Sequence, residues 1–207
     1  MGFKEILAVG LIGIVSGCAT SVEQAGYRVL SEAGKFELRD YSPQVVAETV
    51  VDGSMEDAGN KAFRRLFGYI SGKNRSQTRI EMTAPVTQEP ASEKIAMTAP
   101  VGQQRGADGW VVSFAMPAEY SLADLPLPED PQVVLRQIPA ARMAAVRYSG
   151  TWSEKRYHRY EGELREWIEK MDYSSLGEPV WARYNPPFTP WFLRRNEILI
   201  PVAAGPN

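Results

Sequence analysis

Apolar and polar residues alternate through Phe36-Glu37-Leu38-Arg39, as they do along a strand with one buried face. The stretch Tyr27–Arg39 therefore opens the ordered domain. Asp40–Pro43 carries turn residues, and Val45–Val51 reads as the next strand. After Gly53 the period changes. Ser54 with Asp57 three positions on is an acidic variant of the capping pattern, and predicts a helix from about Met55 to about Ile70. Ala58, Ala62, Phe63, Leu66 and Ile70 make its apolar stripe, with Lys61, Arg64 and Arg65 to the side. Ser71-Gly72-Lys73-Asn74 ends it, since Gly and Asn tolerate left-handed backbone. Gln103–Gly109 reads as a polar turn and Trp110–Met116 as a strand. Pro117–Pro131, rich in Pro and acids, suits an extended surface loop.

The second half repeats the first. Leu135-Arg136 matches Leu38-Arg39, and Gly150 follows Leu135 at the distance by which Gly53 follows Leu38. Val133–Ile138 and Arg142–Tyr148 read as paired strands, and Ser153 caps a second helix ending near Met171. Counted from the two glycines, Tyr160 stands for Phe63, Leu164 for Phe67 and Trp167 for Ile70. Pro179–Tyr184 is a strand, Asn185–Trp191 a Pro-stiffened loop, and Asn196–Val202 the closing strand. Such half-units do not close a core alone and pack together. The expectation is an α+β fold: a distorted antiparallel β-barrel from two pseudo-symmetric repeats (about 27–116 and 132–202), each with one helix packed on the sheet. The domain spans 27–202, and 203–207 form a tail.

A second, shorter repetition lies between the halves. Ile80-Glu81-Met82-Thr83-Ala84-Pro85-Val86 recurs as Ile95-Ala96-Met97-Thr98-Ala99-Pro100-Val101. Both copies read as strands, with Gln88–Lys94 as the turn and Met82 and Met97 as core fillers. Each Pro breaks its ladder. The alternative is that the broken ladder lines a pocket.

Charge is nearly balanced, with 23 Lys+Arg against 25 Asp+Glu, so no basic footprint points to nucleic acid. Lys4 precedes the apolar run Ile6–Val15, too short to span a bilayer and fitting the h-region of a secretory signal. Val15-Ser16-Gly17-Cys18 resembles a bacterial lipobox. That resemblance implies a signal peptide over 1–17, lipidation of Cys18, a tether over 18–26 and, with Ala19 after the Cys, a periplasm-facing place on the outer membrane. An ordinary signal peptide or a short buried helix is the alternative. Cys18 is the only Cys, so no internal disulfide or Cys-metal site can form.

Catalytic patterns are lacking: one His, no Ser–His–acid order, no Gly-rich phosphate loop, no metal-ligand spacing. An apolar, aromatic concavity between helices and sheet, with cations at its rim, is the expected small-molecule pocket. His158 has Glu161 and Arg165 on its own helical face, which reads as solvated, while a neutral His remains able to bind iron. Arg194-Arg195 reads as a surface pair, or else as a carboxylate clamp.

Several segments together carry a family likeness: Phe36–Tyr41, Tyr69–Asn74, Lys94–Val101, Tyr184–Phe188 and Arg195–Ile198. Over Tyr27–Val202 the chain resembles the SOUL/haem-binding-protein family. The resemblance implies the duplicated distorted barrel, and haem or another tetrapyrrole as ligand. It also implies likeness in fold to effector-binding domains of bacterial regulators. In some family members haem lies along the first helix, with apolar contacts and basic partners for its propionates. Carried over, the apolar contact is Phe63, with Phe67 nearby on the same helix; Asn60 and Gly68 stand where the basic partners would be, so that pairing is lost and Lys61 or Arg64 takes its place. The axial His proposed in other members falls on Asp40, which is no ordinary haem ligand. His158, a Met or a Tyr is then left for the iron. The first helix is less acidic than the second, which carries Glu161, Glu163 and Glu166, so the ligand is expected there. The resulting expectation is a non-enzymatic, membrane-anchored tetrapyrrole-binding protein. The alternatives are an enzyme acting on a tetrapyrrole or other apolar substrate, and an effector-binding-like or scaffold protein without haem.

Overall fold

Ser54 and Ser153 each accept a hydrogen bond from the backbone N–H three residues on, at 3.2 and 3.3 Å, and a helix follows each. These are α1 (Met55–Ile70) and α2 (Glu154–Lys170). The turn glycines Gly53 and Gly150 both have positive φ, 116° and 131°, a conformation that side-chain-bearing residues resist. The structure is a computed structural model and describes residues 22–76 and 92–203. Its strands are β1 (Tyr27–Ala33), β2 (Phe36–Tyr41), β3 (Gln44–Val51), β4 (Asn74–Arg75), β5 (Val101–Gly106), β6 (Gly109–Ala115), β7 (Leu127–Pro128), β8 (Val134–Ile138), β9 (Ala141–Tyr148), β10 (Val180–Arg183) and β11 (Asn196–Pro201).

Nine strands make one antiparallel sheet in the order β1-β2-β9-β11-β10-β5-β6-β3-β8, curled into a half-barrel with both helices packed on it. Exchanging β2 with β8, β3 with β9, β5 with β10 and β6 with β11 reverses that order, apart from the added β1. The duplication is thus a local two-fold passing between β5 and β10. Register agrees: Leu38 lies opposite Ala144, and Leu135 opposite Ala47.

This topology corrects the expected pairing of the two strands that open the second half. β8 pairs with β3, and β9 with β2 and β11, not with each other. The links β2–β3 and β8–β9 contain Pro43 and Pro139. A two-residue hairpin needs positive φ in its turn, which Pro cannot supply. Each repeat therefore gives its first strand to the other, and neither closes alone.

Three further expectations are corrected. Gln103–Gln104 belong to strand β5, and the turn is confined to the residues between Gly106 and Gly109. Gln103 is a polar strand residue that finds partners: it donates to the Met55 carbonyl at 2.8 Å and accepts from Arg183 at 2.9 Å. The second Met-Thr-Ala-Pro-Val copy is irregular up to Val101, with Met97 exposed. Ile95 instead caps the end of α1 by donating to the Ile70 carbonyl (2.8 Å), and Ala99 bridges Gln24. The first copy, Ile80–Val86, lies outside the described residues. Lastly, the space between helices and sheet is filled. Leu66, Tyr69, Ile70, Tyr157, Leu164 and Ile168 meet Trp110, Phe114, Trp181, Ile198 and Ile200 there, forming core instead of a concavity.

Candidate functional site on the first helix

Residues four apart share a helix face, and on α1 this brings Phe63 and Phe67 together. Their rings stack, with centroids 5.8 Å apart and planes 9° from parallel. Phe63 is half-buried and leans on Phe114 of β6 at 5.4 Å; Phe67 is 47% exposed. Asn60, Lys61, Phe63 and Arg64 line one shallow depression of about 450 Å³ with Asp57. Four of the five expected binding positions thus meet, and the fifth, Phe67, stacks on Phe63 without lining the depression. Among the described residues no ion pair engages Lys61 or Arg64, so both cations are free for an anionic group at the rim. His158 does not line this depression. It is exposed on α2, with Nδ1 3.4 Å from Glu161 and Nε2 3.9 Å from Glu154.

The helix equivalence read from the glycines is off by one residue. Buried Leu66 and Ile70 of α1 match buried Leu164 and Ile168 of α2, both 98 positions apart. The stretch from glycine to cap differs between the repeats, with Gly53 and Ser54 adjoining but Thr151 and Trp152 between Gly150 and Ser153, so distance from the glycine is no measure of helical phase. With the phase corrected, Phe63 and Phe67 correspond to Glu161 and Arg165, which form an ion pair at 2.8 Å. Tyr160, expected to match Phe63, is instead stacked on Tyr148 at 4.1 Å and covered by Lys35.

The opposite face of the sheet holds chemistry that sequence reasoning missed. Arg39 of β2 donates Nη1 to Glu197 Oε2 at 2.6 Å and Nη2 to Oε1 at 3.1 Å; their side chains are 1% and 0% exposed. Glu197 also accepts from Arg195 Nε at 2.9 Å and the Tyr184 hydroxyl at 2.8 Å. Burial alone would push the Glu197 carboxyl up. The Arg39 hydrogen bond and the charges of Arg39 and Arg195 outweigh it and hold the group below the ordinary carboxylate range. Arg194-Arg195 is therefore not a surface pair: Arg195 belongs to this network and Arg194 donates to the Thr189 and Pro187 carbonyls. Alternation in β2, which puts Arg39 opposite core residue Leu38, was the available signal. Asp40 accepts hydrogen bonds from Arg142 at 2.8 and 3.1 Å.

Beyond the network the same face opens into a pocket of about 270 Å³, with Val46, Val111, Ile138, Met143 and Leu199 in its lining and the Arg136–Glu48 pair beside them. That volume lies just under the ~300–1,000 Å³ usual for small-molecule sites. A large planar ligand is better matched by the open α1 surface. Among the described residues there is no cluster of three metal-ligating side chains, and no helix is long and apolar enough to cross a membrane. Cys18 lies outside the described residues.

The family profile described as "SOUL heme-binding protein" matches residues 22–201. Human Heme-binding protein 2 is 37% identical over 81 residues, 36% of this chain; the match spans 40% of the human protein, and 33% of its mouse counterpart. Mouse Heme-binding protein 1 is 26% identical over 184 residues, covering 86% of this chain and 92% of the mouse protein. Among solved structures, the EcmrR–DNA complex aligns with TM-score 0.56 at 13% identity, over 81% of this chain and 56% of that one. A Listeria innocua protein described as a hydrolase aligns with TM-score 0.52 at 10% identity, over 84% and 94%. At these identities the likeness is one of fold.

Proposed function

Because the chain belongs to the SOUL heme-binding protein family, we propose that it binds haem or another tetrapyrrole against the Phe63–Phe67 stack of α1, as a carrier and not a catalyst. We further propose that it does so on the periplasmic side of a bacterial outer membrane, held there by lipid on Cys18. The observation that carries the ligand reading is the aromatic stack itself. At the equivalent positions α2 has a partly buried ion pair, Glu161–Arg165, so packing does not demand two phenylalanines there. A half-exposed aromatic surface with two unengaged cations fits a flat apolar macrocycle with anionic side groups. No His stands in the depression, so the iron of a haem would gain no imidazole there. Haem would supply its own redox chemistry; these residues supply only a face and a charged rim.

Covering on the order of 200 Å² of apolar surface is worth ~5 kcal/mol before ordering costs. Each rim charge adds about 1 kcal/mol or less, because water screens it. Affinity should therefore follow the rings more than the cations. The test is a hemin titration followed at the Soret band. Phe67 is the cleanest probe because it is exposed. Phe67→Ala should weaken binding about tenfold (1.4 kcal/mol), Arg64→Ala less, and Tyr160→Ala least. Parent-like binding by Phe67→Ala together with loss in Tyr160→Ala would put the ligand on α2. Absence of a saturable shift would defeat the ligand reading, and progressive loss of the hemin spectrum would turn it into an enzyme.

A further inference from the structure

The loop between β10 and β11 exposes an apolar ridge that neither the core nor the α1 site uses. Phe188 is 86% exposed, and Trp191, Phe192 and Leu193 are each more than half exposed. The exposure is built in. Pro186, Pro187 and Pro190 stiffen the chain, and Trp191–Leu193 form one tight 3-10 turn. Arg194 ties the loop to itself through the Thr189 carbonyl (2.8 Å) and the Pro187 carbonyl (2.5 Å). The rings are therefore held outward, with little further freedom to lose on binding. No acidic residue occurs from Pro186 to Arg195.

The position of this ridge identifies its partner. Its base is fastened to the point where the chain enters the fold: Arg195 donates to Gln24 Oε1 at 3.0 Å and to the Tyr27 hydroxyl at 3.3 Å. Val22, two residues before Gln24, is exposed as well. Cys18 precedes Val22 by four residues, a reach of at most about 14 Å at ~3.6 Å per residue. A lipid on Cys18 would bring this corner of the domain to a bilayer. Trp and Phe side chains favour the membrane–water interface, and a second attachment makes lipid anchoring firm.

We infer that Phe188, Trp191, Phe192 and Leu193 form a bilayer-docking ridge that seats the domain on the surface to which its N-terminus is tethered. The inference rests on the anchored reading above. Docking fixes the domain's orientation, where a tether alone leaves it free to tumble.

The full chain, purified with its own N-terminal modification, is mixed with phosphatidylcholine–phosphatidylglycerol vesicles with or without brominated acyl chains. Flotation and the mass of the N-terminal peptide report anchoring; tryptophan quenching reports docking. Trp191→Phe removes the ridge's tryptophan and leaves the other four. Brominated vesicles should quench the parent and leave Trp191→Phe nearly unquenched. Phe188→Ser/Phe192→Ser should cut the Trp191 contribution at least threefold. An acylated protein that floats without Trp191-dependent quenching overturns the ridge and leaves the anchor standing. An unmodified protein that is still quenched through Trp191 overturns the anchor and supports the ridge. Neither flotation nor quenching overturns both. If the double Ser variant instead changes the elution volume or the hemin affinity while quenching stays, the ridge serves a second copy or the ligand, and the proposal is wrong.

Discussion

Replacing Glu197 by Ala should be among the most damaging single changes in this protein. The residue accepts two hydrogen bonds from Arg39, at 2.6 and 3.1 Å, and one from Tyr184 at 2.8 Å, with both members of the ion pair fully buried. Removing one partner of a buried pair leaves the other charge in a poorly solvated place, at a cost of about 3–5 kcal/mol. Glu37, 2.7 Å from Arg39 Nε, still offsets part of that charge, which argues for the lower end, about 3 kcal/mol. For a domain of this size that is a fall in Tm of about 6–12 °C. Urea unfolding followed by circular dichroism measures it. The control is Arg39→Met/Glu197→Leu, which removes both charges and replaces them with apolar volume. It should lose less than Glu197→Ala alone, because the damage lies in the orphaned guanidinium and not in the missing attraction. A loss below about 1 kcal/mol for Glu197→Ala, or a double variant worse than either single one, would refute this account.

Other outcomes follow from the same contacts. Hydrogen bonding to Arg142, against a smaller opposing effect of burial, holds the Asp40 carboxyl down, and Glu197 is also held down, so both folded pKa values lie below their unfolded values near ~4. Their stabilisation is complete above that range and lost as pH falls through the folded values. The urea midpoint should hold flat from pH 7 to about 5.5 and fall below about 4.5, and Asp40→Asn should shrink the fall. Ser54→Ala should cost about 1 kcal/mol by removing the α1 cap, read as a lower urea midpoint with unchanged slope. His158→Ala should leave hemin affinity within about threefold; a hundredfold loss, roughly 2.7 kcal/mol, would make it the iron ligand. Cys18→Ala should move the protein from the membrane to the soluble fraction or block its processing, and parent-like fractionation would defeat the anchor.

The pattern of one chain discloses which face a residue takes more readily than which neighbour it meets. Helix α1 was legible to its ends because Ser54, Asp57 and Gly72 act within a turn of their own positions. Strands β2, β3 and β6 followed from alternation and β-branched content. Pairing was not legible, because β8 and β9 adjoin in sequence and their exchange with β2 and β3 is decided by two prolines and the demands of the other half. β5 was hidden because Gln103 and Gln104 look like loop residues until Met55 and Arg183 appear as partners for Gln103. The α1 site was half legible. Spacing placed Phe63 on the apolar stripe with Lys61 and Arg64 beside it, and the family resemblance, not spacing, singled them out as binding positions. The contrast of Phe67 with Arg165 was hidden, because counting from the glycines aligns the two helices one residue out of phase.

The duplicated core is nearly symmetric, and the places where symmetry fails are where chemistry can be added without disturbing packing. Arg39 and Arg136 occupy equivalent strand positions, yet Arg39 is sealed against Glu197 whereas Arg136 pairs with the partly exposed Glu48. The sheet register explains the difference. Glu197 faces Arg147 across β11 and β9, and its counterpart Val111 faces Val50 across β6 and β3. One end of this face is thereby locked by charge, and the other is left open beside Val111. On the helices the asymmetry runs the other way: α2 covers its outer face with ion pairs, and α1 carries a ring stack there whose outer member, Phe67, is exposed. A partly buried ion pair at that position satisfies the fold without exposing apolar surface. Phe63 is partly accounted for by its packing on Phe114, whereas the exposed ring of Phe67 is what the proposed ligand would cover.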